Sequence, residues 1–393
     1  MKKRYMDRIA ATPLHPQVYE FMLPFFKEHY GNPQSLHSWG QKSNEALEMA
    51  REKVAHLINA EPEEIFFTSS GSESNNLAVK GLAEARRKQG NRILVSAIEH
   101  QSVLHSAKKL EKIGFEVEHI PVDEHGLIDI ERLKNSITEK TVLVSLMLAN
   151  SEVGTIEPIE QASEICRGKD ILLHTDAVAA VGNIPVDVKK LGVGALSLAG
   201  DQFYGPKGSA ALYIKKGNRI VPLIDGGIQE GGRRAGTENL AAIVGLGKAA
   251  ELAEKGMSER IKKVKGVRDF LLKGLPENIE HVVITGHHEK RLPHHASFCI
   301  EFVEGESMLL NLDMLGIAVS SGSACTSKAL KASHVLIAMG LDHALAQSSL
   351  VFSLLDEVSK EDIEYLLDVF PPVIERLRKM SPLYSQYLEE KQK

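Results

Sequence analysis

ILLHTDAVAAVG, residues 171–182, starts as an apolar run of strand length and ends on an aspartate followed by small residues. An apolar run without polar alternation suits a strand covered on both faces, as in parallel sheets. Similar units lie on either side of it: IFFTSS (65–70), RILVSAIEH (92–100), FEVEHIPV (115–122), TVLVSLMLAN (141–150), ALSLAG (195–200) and AALYI (210–214), with helical stretches between them. This alternation predicts an α/β fold, with a mainly parallel seven-stranded sheet and flanking helices. Ligands of such sheets collect at the carboxyl ends of the strands, so SSGSES, EHQS, ANSE, TDAVA and AGDQ are expected to converge.

Further along, TENLAAIVGLGKAAELAEKG (237–256) reads as a helix leading into the amphipathic SERIKKVKGVRDFLLKGL (258–275). Beyond it the strands VVITGH, HASFCIEF and SSLVFSLL alternate with helices GESMLLNLDMLGI and KEDIEYLLDVFPPVIERLRKM, which suits a smaller α+β domain. The expected division is a large domain over 15–255 and a small one made of 1–14 and 256–393. At 393 residues the chain exceeds the roughly 250–300 at which single cores stop growing. A net charge of −5 provides no basic face for nucleic acid. No apolar run approaches the roughly 18 residues that span a bilayer, and MKKRYMDRIAATPLHP lacks the apolar stretch of an export signal. A cytoplasmic protein is therefore expected.

The three cysteines, Cys166, Cys299 and Cys325, have no CxxC spacing for zinc and make no disulfide framework. Cys166 falls in a helical pattern and Cys299 in an alternating strand, where a buried thiol acts as a small hydrophobe. Cys325 stands among Ser, Gly and Ala, a composition for an exposed loop; it reads either as a reactive thiol or as an inert surface one.

FTSSGSESNNLAVKG (67–81) places a Ser/Gly turn between strand and helix, where backbone N–H groups of Gly71, Ser72 and Glu73 suit a phosphate. Read alone, it is better explained by a helix capped by Ser70 or Ser72. His100 stands at a strand exit, where an imidazole stacks on a ring or serves the structure. Asp176 ends an apolar strand, where a carboxylate is costly unless it meets a cation or donor. The histidines of GHHEKRLPHH (286–295), His287, His288, His294 and His295, lack the i, i+4 register of a metal site and read as a polar surface loop.

The chain resembles the cysteine desulfurases, the class V aminotransferase-like enzymes of pyridoxal phosphate fold type I. The resemblance rests on YGNPQSLHSWG, FFTSSGSESNNLAVKG, EHQSVL, HTDAVAAVG, YGPKGSAALYI, GGIQEGGRRAGTENL, GESMLLNLDMLGIAVSSGSACTS and RLRKMSPLY, in order along nearly the whole chain. It implies a homodimer whose large domain carries the dimer interface. It also implies that the cofactor labilises the sulfur of cysteine, which a loop cysteine takes up as a persulfide for iron–sulfur assembly or tRNA thiolation. Carried over by position, His100 stacks on the pyridine ring, Asp176 meets its nitrogen, Ser72 holds phosphate and Thr237 reaches the phosphate of the second subunit. Cys325 corresponds to the persulfide carrier.

Other positions depart from the family. Its strand-end pattern Ser-x-His-Lys, whose lysine attaches the cofactor, is here Ala199, Gly200, Asp201 and Gln202. A glutamine amide cannot attach an aldehyde as an amine does, and an aspartate adds repulsion beside a phosphate dianion. The glutamine expected against the cofactor's phenolic oxygen is Ala179, the asparagine of NNE is Ser151, and the arginine that grips the substrate carboxylate is Val351. Arg8 and Ile9 in DRIAATP also depart from the family's DNAATTP. Lys207 in YGPKG is five positions past Gln202, at a place where the family has a lysine in addition to the attaching one.

The expected function is sulfur transfer in iron–sulfur cluster assembly without pyridoxal-dependent desulfurase activity. Cys325 would act as persulfide acceptor, or as ligand of an iron–sulfur cluster shared with a scaffold partner. One alternative is an active cysteine desulfurase that makes L-alanine and a persulfide from L-cysteine with pyridoxal phosphate held non-covalently. Another is a docking or regulatory subunit that does not use its thiol.

Overall fold

The computed structural model describes residues 2–322 and 332–391, so Cys325 lies outside the described residues. Twelve strands are described: β1 (Arg4–Tyr5), β2 (Ile65–Thr68), β3 (Arg92–Ser96), β4 (Glu116–Ile120), β5 (Thr141–Ser145), β6 (Leu172–Asp176), β7 (Ala195–Ala199), β8 (Ala210–Ile214), β9 (Val282–Ile284), β10 (His295–Ile300), β11 (Ile317–Ala318) and β12 (Ser349–Ser353). β2 to β8 form a seven-stranded sheet in the order β2-β8-β7-β6-β5-β3-β4. β8 is antiparallel to both its neighbours, and every other pairing is parallel. β5, β6, β7 and β8 are buried at every position, which explains their largely apolar sequences.

A polar triad crosses this layer. His174 of β6 hydrogen-bonds with Ser145 Oγ of β5 at 2.8 Å through Nδ1, and with Ser197 Oγ of β7 at 3.0 Å through Nε2. Burial pushes its pKa down to about 3, so the ring is neutral.

The two helical stretches read over 237–275 form one continuous helix, Leu240–Asn278. Its first half lies against the helix Ser38–Leu57 so closely that a Cβ at Gly247 would stand 2.7 Å from Ala50 Cα. Its second half contributes Leu271 and Leu275 to a separate apolar core with Met6, Phe298, Phe352 and Phe370. Over that core lies an antiparallel sheet, β12-β10-β9, beside the parallel pair β1–β11. Among the described residues no helix is long and apolar enough to cross a membrane.

The GHHEKRLPHH segment departs from the surface loop expected of it. His288 is exposed and His287 half-buried, but His294 and His295 are 2% and 0% exposed. The segment pairs with the loop after β5: Leu292 N–H donates to the Gly154 carbonyl at 2.8 Å and Ile156 N–H to the Lys290 carbonyl at 2.9 Å. This pairing draws the second histidine pair inward, and β10 begins at His295. Burial depresses both, His295 to about 3, so each is neutral. No group of three or more His, Cys, Asp or Glu among the described residues is placed to hold a metal ion. Cys166 and Cys299 are buried, which pushes each thiol up to about 12, so both pack as small apolar groups.

Candidate functional site

The exits of β2, β3, β5, β6 and β7 enclose a cavity of about 520 Å³. Ser72, His100, Ser151, Asp176, Ala179, Ala199, Asp201 and Gln202 line it, and Val351 closes it from β12. Thr237 stands exposed outside this wall, so within one chain it takes no part in the cavity. Ile9 lines the wall, whereas Arg8 turns away. Arg8 is buried, donating to Asp356 Oδ1 at 3.1 Å and to Asn183 Oδ1.

At the inner end, Asp176 accepts from Asn75 Nδ2 at 2.6 Å and from Val178 N–H at 3.0 Å. Asn75 also donates to Ser102 Oγ at 2.9 Å, and that hydroxyl lies 2.7 Å from His100 Nδ1. His100 caps the helix Gln101–Glu111, its Nδ1 accepting from Ser102 N–H at 3.2 Å. This fixes the ring at the strand exit. Burial raises the Asp176 pKa, and the neighbouring His100 charge works against the rise.

At the mouth, Ser70 caps the helix Gly71–Asn76 by accepting from Glu73 N–H at 3.1 Å, as the capping alternative required. Gly71 is needed there because a Cβ would stand 2.6 Å from Val178 Cγ2. Across the cavity, the Asp201 carbonyl accepts from Thr12 N–H and Thr12 Oγ, both at 2.8 Å, while Gln202 Nε2 donates to the Ile9 carbonyl at 3.2 Å. Burial raises the Asp201 pKa, and Lys207, which is exposed and outside the wall, partly offsets it.

Several wall residues carry no sequence signal that singled them out. Glu99 Oε1 accepts from Met147 N–H at 2.6 Å and from Ser96 Oγ at 2.7 Å, and burial raises its pKa well above the carboxylate range. Glu152 accepts from Ser333 Oγ, and burial pushes it up to about 7. His334 bonds through Nε2 to the Glu99 carbonyl at 3.0 Å. Asn75 was legible in one respect: it lies one turn after Gly71, on the face that the Ser/Gly turn presents inward.

Residues 4–366 match the Aminotransferase class-V family. The chain belongs to that family, in its cysteine desulfurase branch. It is 49% identical over 393 residues to a cysteine desulfurase IscS of Clostridium botulinum, covering 100% of this chain and 99% of that one. It is 48% identical over 380 residues to cysteine desulfurase IscS 1 of Archaeoglobus fulgidus, covering 97% and 99%. Among solved structures, a NifS-like protein superposes with a TM-score of 0.90 at 38% identity, covering 96% and 100%. The fold is thus of aminotransferase type I, as the sequence resemblance implied.

The family implies pyridoxal phosphate, and this class-V chain fits that group in part. Asp176 and Asn75 are chemically suited to a protonated ring nitrogen, and Asn75 Oδ1 is buried without a partner. The attachment end does not fit: Gln202 offers an amide already engaged by Ile9, with Asp201 beside it.

Proposed function

We propose that the protein works in sulfur transfer for iron–sulfur assembly, as a cytoplasmic homodimer that passes sulfur through Cys325 to a scaffold or other acceptor. Membership of the cysteine desulfurase branch supports this, and exposed Leu36, Trp39 and Ile228 supply apolar surface for a second copy. In this reading Thr237 serves the partner's cavity, and the domain division at 14/15 and 255/256 separates the cofactor-type unit from the unit carrying Cys325. Sulfur arrives by persulfide exchange: a donor R–S–SH gives its outer sulfur to the Cys325 thiol, leaving R–SH and Cys325–S–SH. A cluster-ligand role for the same thiol belongs to this reading as well.

Whether the chain also generates the sulfur divides two readings. Loss of pyridoxal chemistry is carried by one observation, the Gln202 amide bonded to Ile9 where an amine is required. An active desulfurase, converting L-cysteine and the Cys325 thiol to L-alanine and the Cys325 persulfide with cofactor held non-covalently, has the comparisons on its side. The relatives at close to half identity over the full length carry the name cysteine desulfurase.

The absorbance spectrum of the isolated protein and alanine release from L-cysteine decide between them. A visible cofactor band with cysteine-dependent alanine establishes the active enzyme; neither signal establishes the loss. In both readings Cys325→Ser abolishes persulfide on the chain, read by mass spectrometry, because Cys166 and Cys299 are buried thiols held near 12. Persulfide retained by that variant would overturn the role of Cys325.

A further inference from the structure

Residues 226–237 form a mostly exposed segment in which Glu230 and Ala235 alone are buried. Glu230 takes φ +49°, and Gly231 and Gly232 follow at +63° and +77°. A non-glycine residue keeps that left-handed turn only where its surroundings impose it. Here the imposing group is Arg51 of the helix Ser38–Leu57, which grips the Glu230 carboxylate with Nη1 at 2.8 Å and Nη2 at 2.9 Å. The pair also meets β2, an edge strand of the sheet, where it stands in for a neighbouring strand. Phe67 N–H donates to Glu230 Oε2 at 2.8 Å, and Arg51 Nη1 donates to the Ile65 carbonyl at 2.6 Å.

The rest of the segment is tied down as well. Arg233 lies over the Phe66 ring at 4.4 Å, Arg234 pairs with Glu73 at 2.9 Å, and Gly236 N–H donates to Gln229 Oε1 at 3.1 Å. Beyond it Asn239 caps the long helix Leu240–Asn278. Thr237 is thus exposed between fixed points. Exchanging a buried ion pair for apolar residues of similar volume often leaves a fold as stable or more so, and the pair is better explained by the one arrangement it selects.

We propose that Arg51 and Glu230 are positioning residues that hold the 228–237 segment as a preformed arm, presenting Thr237 to the cavity of a second copy of this chain. The inference rests on the homodimer reading and adds to it the device that sets the arm. Ile228 is two residues before Glu230 and 79% exposed, so the clamp that aims Thr237 also orients an apolar side chain toward that copy. A pre-set arm gives up less conformational freedom on association than a free one.

The full chain carrying Cys325→Ser, Ser72→Cys and Thr237→Cys tests this, treated with dibromobimane, which bridges two nearby thiols, at concentrations where it sediments as a dimer. Ser72 and Thr237 are both exposed, whereas Cys166 and Cys299 are buried. This parent is expected to give chain-to-chain cross-links on a denaturing gel. Glu230→Gln retains an acceptor for Phe67 N–H but gives up the charge on which Arg51 closes. It is expected to slow cross-linking at least about tenfold, as the aimed arm becomes a minor state. Arg51→Met combined with Glu230→Leu is expected to do the same, and it guards against a variant that fails to fold, since apolar replacement spares the core. Undiminished cross-linking in either variant, still dimeric, would overturn the proposal. A dimeric parent without cross-links would instead sink the placing of Thr237 at the second cavity, and the inference with it. Persulfide loading of Cys325 in the unsubstituted chain reads the sulfur-transfer role separately.

Discussion

Gln202 donates from Nε2 to the main-chain carbonyl of Ile9 at 3.2 Å, so the side chain at the family's lysine position ties the β7 exit to the N-terminal segment. Thr12 holds the next residue back by donating to the Asp201 carbonyl at 2.8 Å. Gln202→Lys alone is expected to leave alanine formation from L-cysteine at background, even with excess pyridoxal phosphate. Val351 still presents an apolar side chain to the cavity, where the family resemblance implies an arginine for the substrate carboxylate, and a charge-assisted hydrogen bond is worth ~1.5–3 kcal/mol. Measurable turnover by the single variant would contradict this.

The loop that carries Ser151 and Glu152 into the cavity depends on His295 of β10. Its Nε2 bonds with the Ser151 carbonyl at 2.9 Å, and Gly154, at φ +78°, lies where a Cβ would stand 2.6 Å from His295 Nδ1. Gly154→Ala is expected to cost ~1–3 kcal/mol from backbone strain together with that clash. In a His295→Ala background the added cost should be smaller, because the ring contacts at 2.6 and 2.8 Å disappear while the Cβ contact at 3.1 Å and the strain remain. Urea unfolding of the four proteins measures the coupling, and strict additivity would refute the contact.

Glu157 gives the fold a pH dependence of known sign. It is 4% exposed, accepts from Ile128 N–H at 2.9 Å, and burial pushes it up to about 8, with Asp123 raising it further and Lys290 opposing. A carboxyl raised in the folded state binds its proton more tightly there than in the unfolded chain, so it lowers stability as pH rises from the ordinary carboxylate range toward about 8. Glu157→Gln retains an acceptor for Ile128 and removes the titration. Its stability should therefore fall less than that of the parent between mildly acidic and mildly alkaline pH, by an amount on the order of a few kcal/mol at most, and its Tm should fall less accordingly. Parallel Tm profiles for the two proteins would rule the assignment out.

The strands were legible because a sheet covered on both faces imposes long apolar runs, and ILLHTDAV, ALSLAG and TVLVSLMLAN carry them. The cavity followed, since strand exits in such sheets point to one edge; Asp176, Asp201 and Gln202 lie where the spacing put them. Glu99 and Glu152 fall in the strand-exit segments EHQS and ANSE that were expected to converge, though nothing in the sequence marked their side chains, whereas His334 was not legible, because it opens a short helix far along the chain whose direction is set by its neighbours. Arg8 and Ile9 illustrate the limit: they lie in a turn closed by Ala10 N–H donating to the Asp7 carbonyl at 3.2 Å, and only the packing decides that Ile9 meets the cavity while Arg8 meets Asp356. His294 and His295 read as surface because their partners, at 150–156, are more than a hundred residues away in sequence.

His174 has a further consequence for how the sheet is assembled. Both its nitrogens are paired only when Ser145 of β5 and Ser197 of β7 flank it, and β5 and β7 each supply one of those serines. A strand displaced by one residue turns its side chains to the opposite face and leaves an imidazole nitrogen bare in a dry layer, at ~1–3 kcal/mol each. The centre of the sheet thus carries its own alignment check: a neutral ring that accepts only one registration of three strands at once.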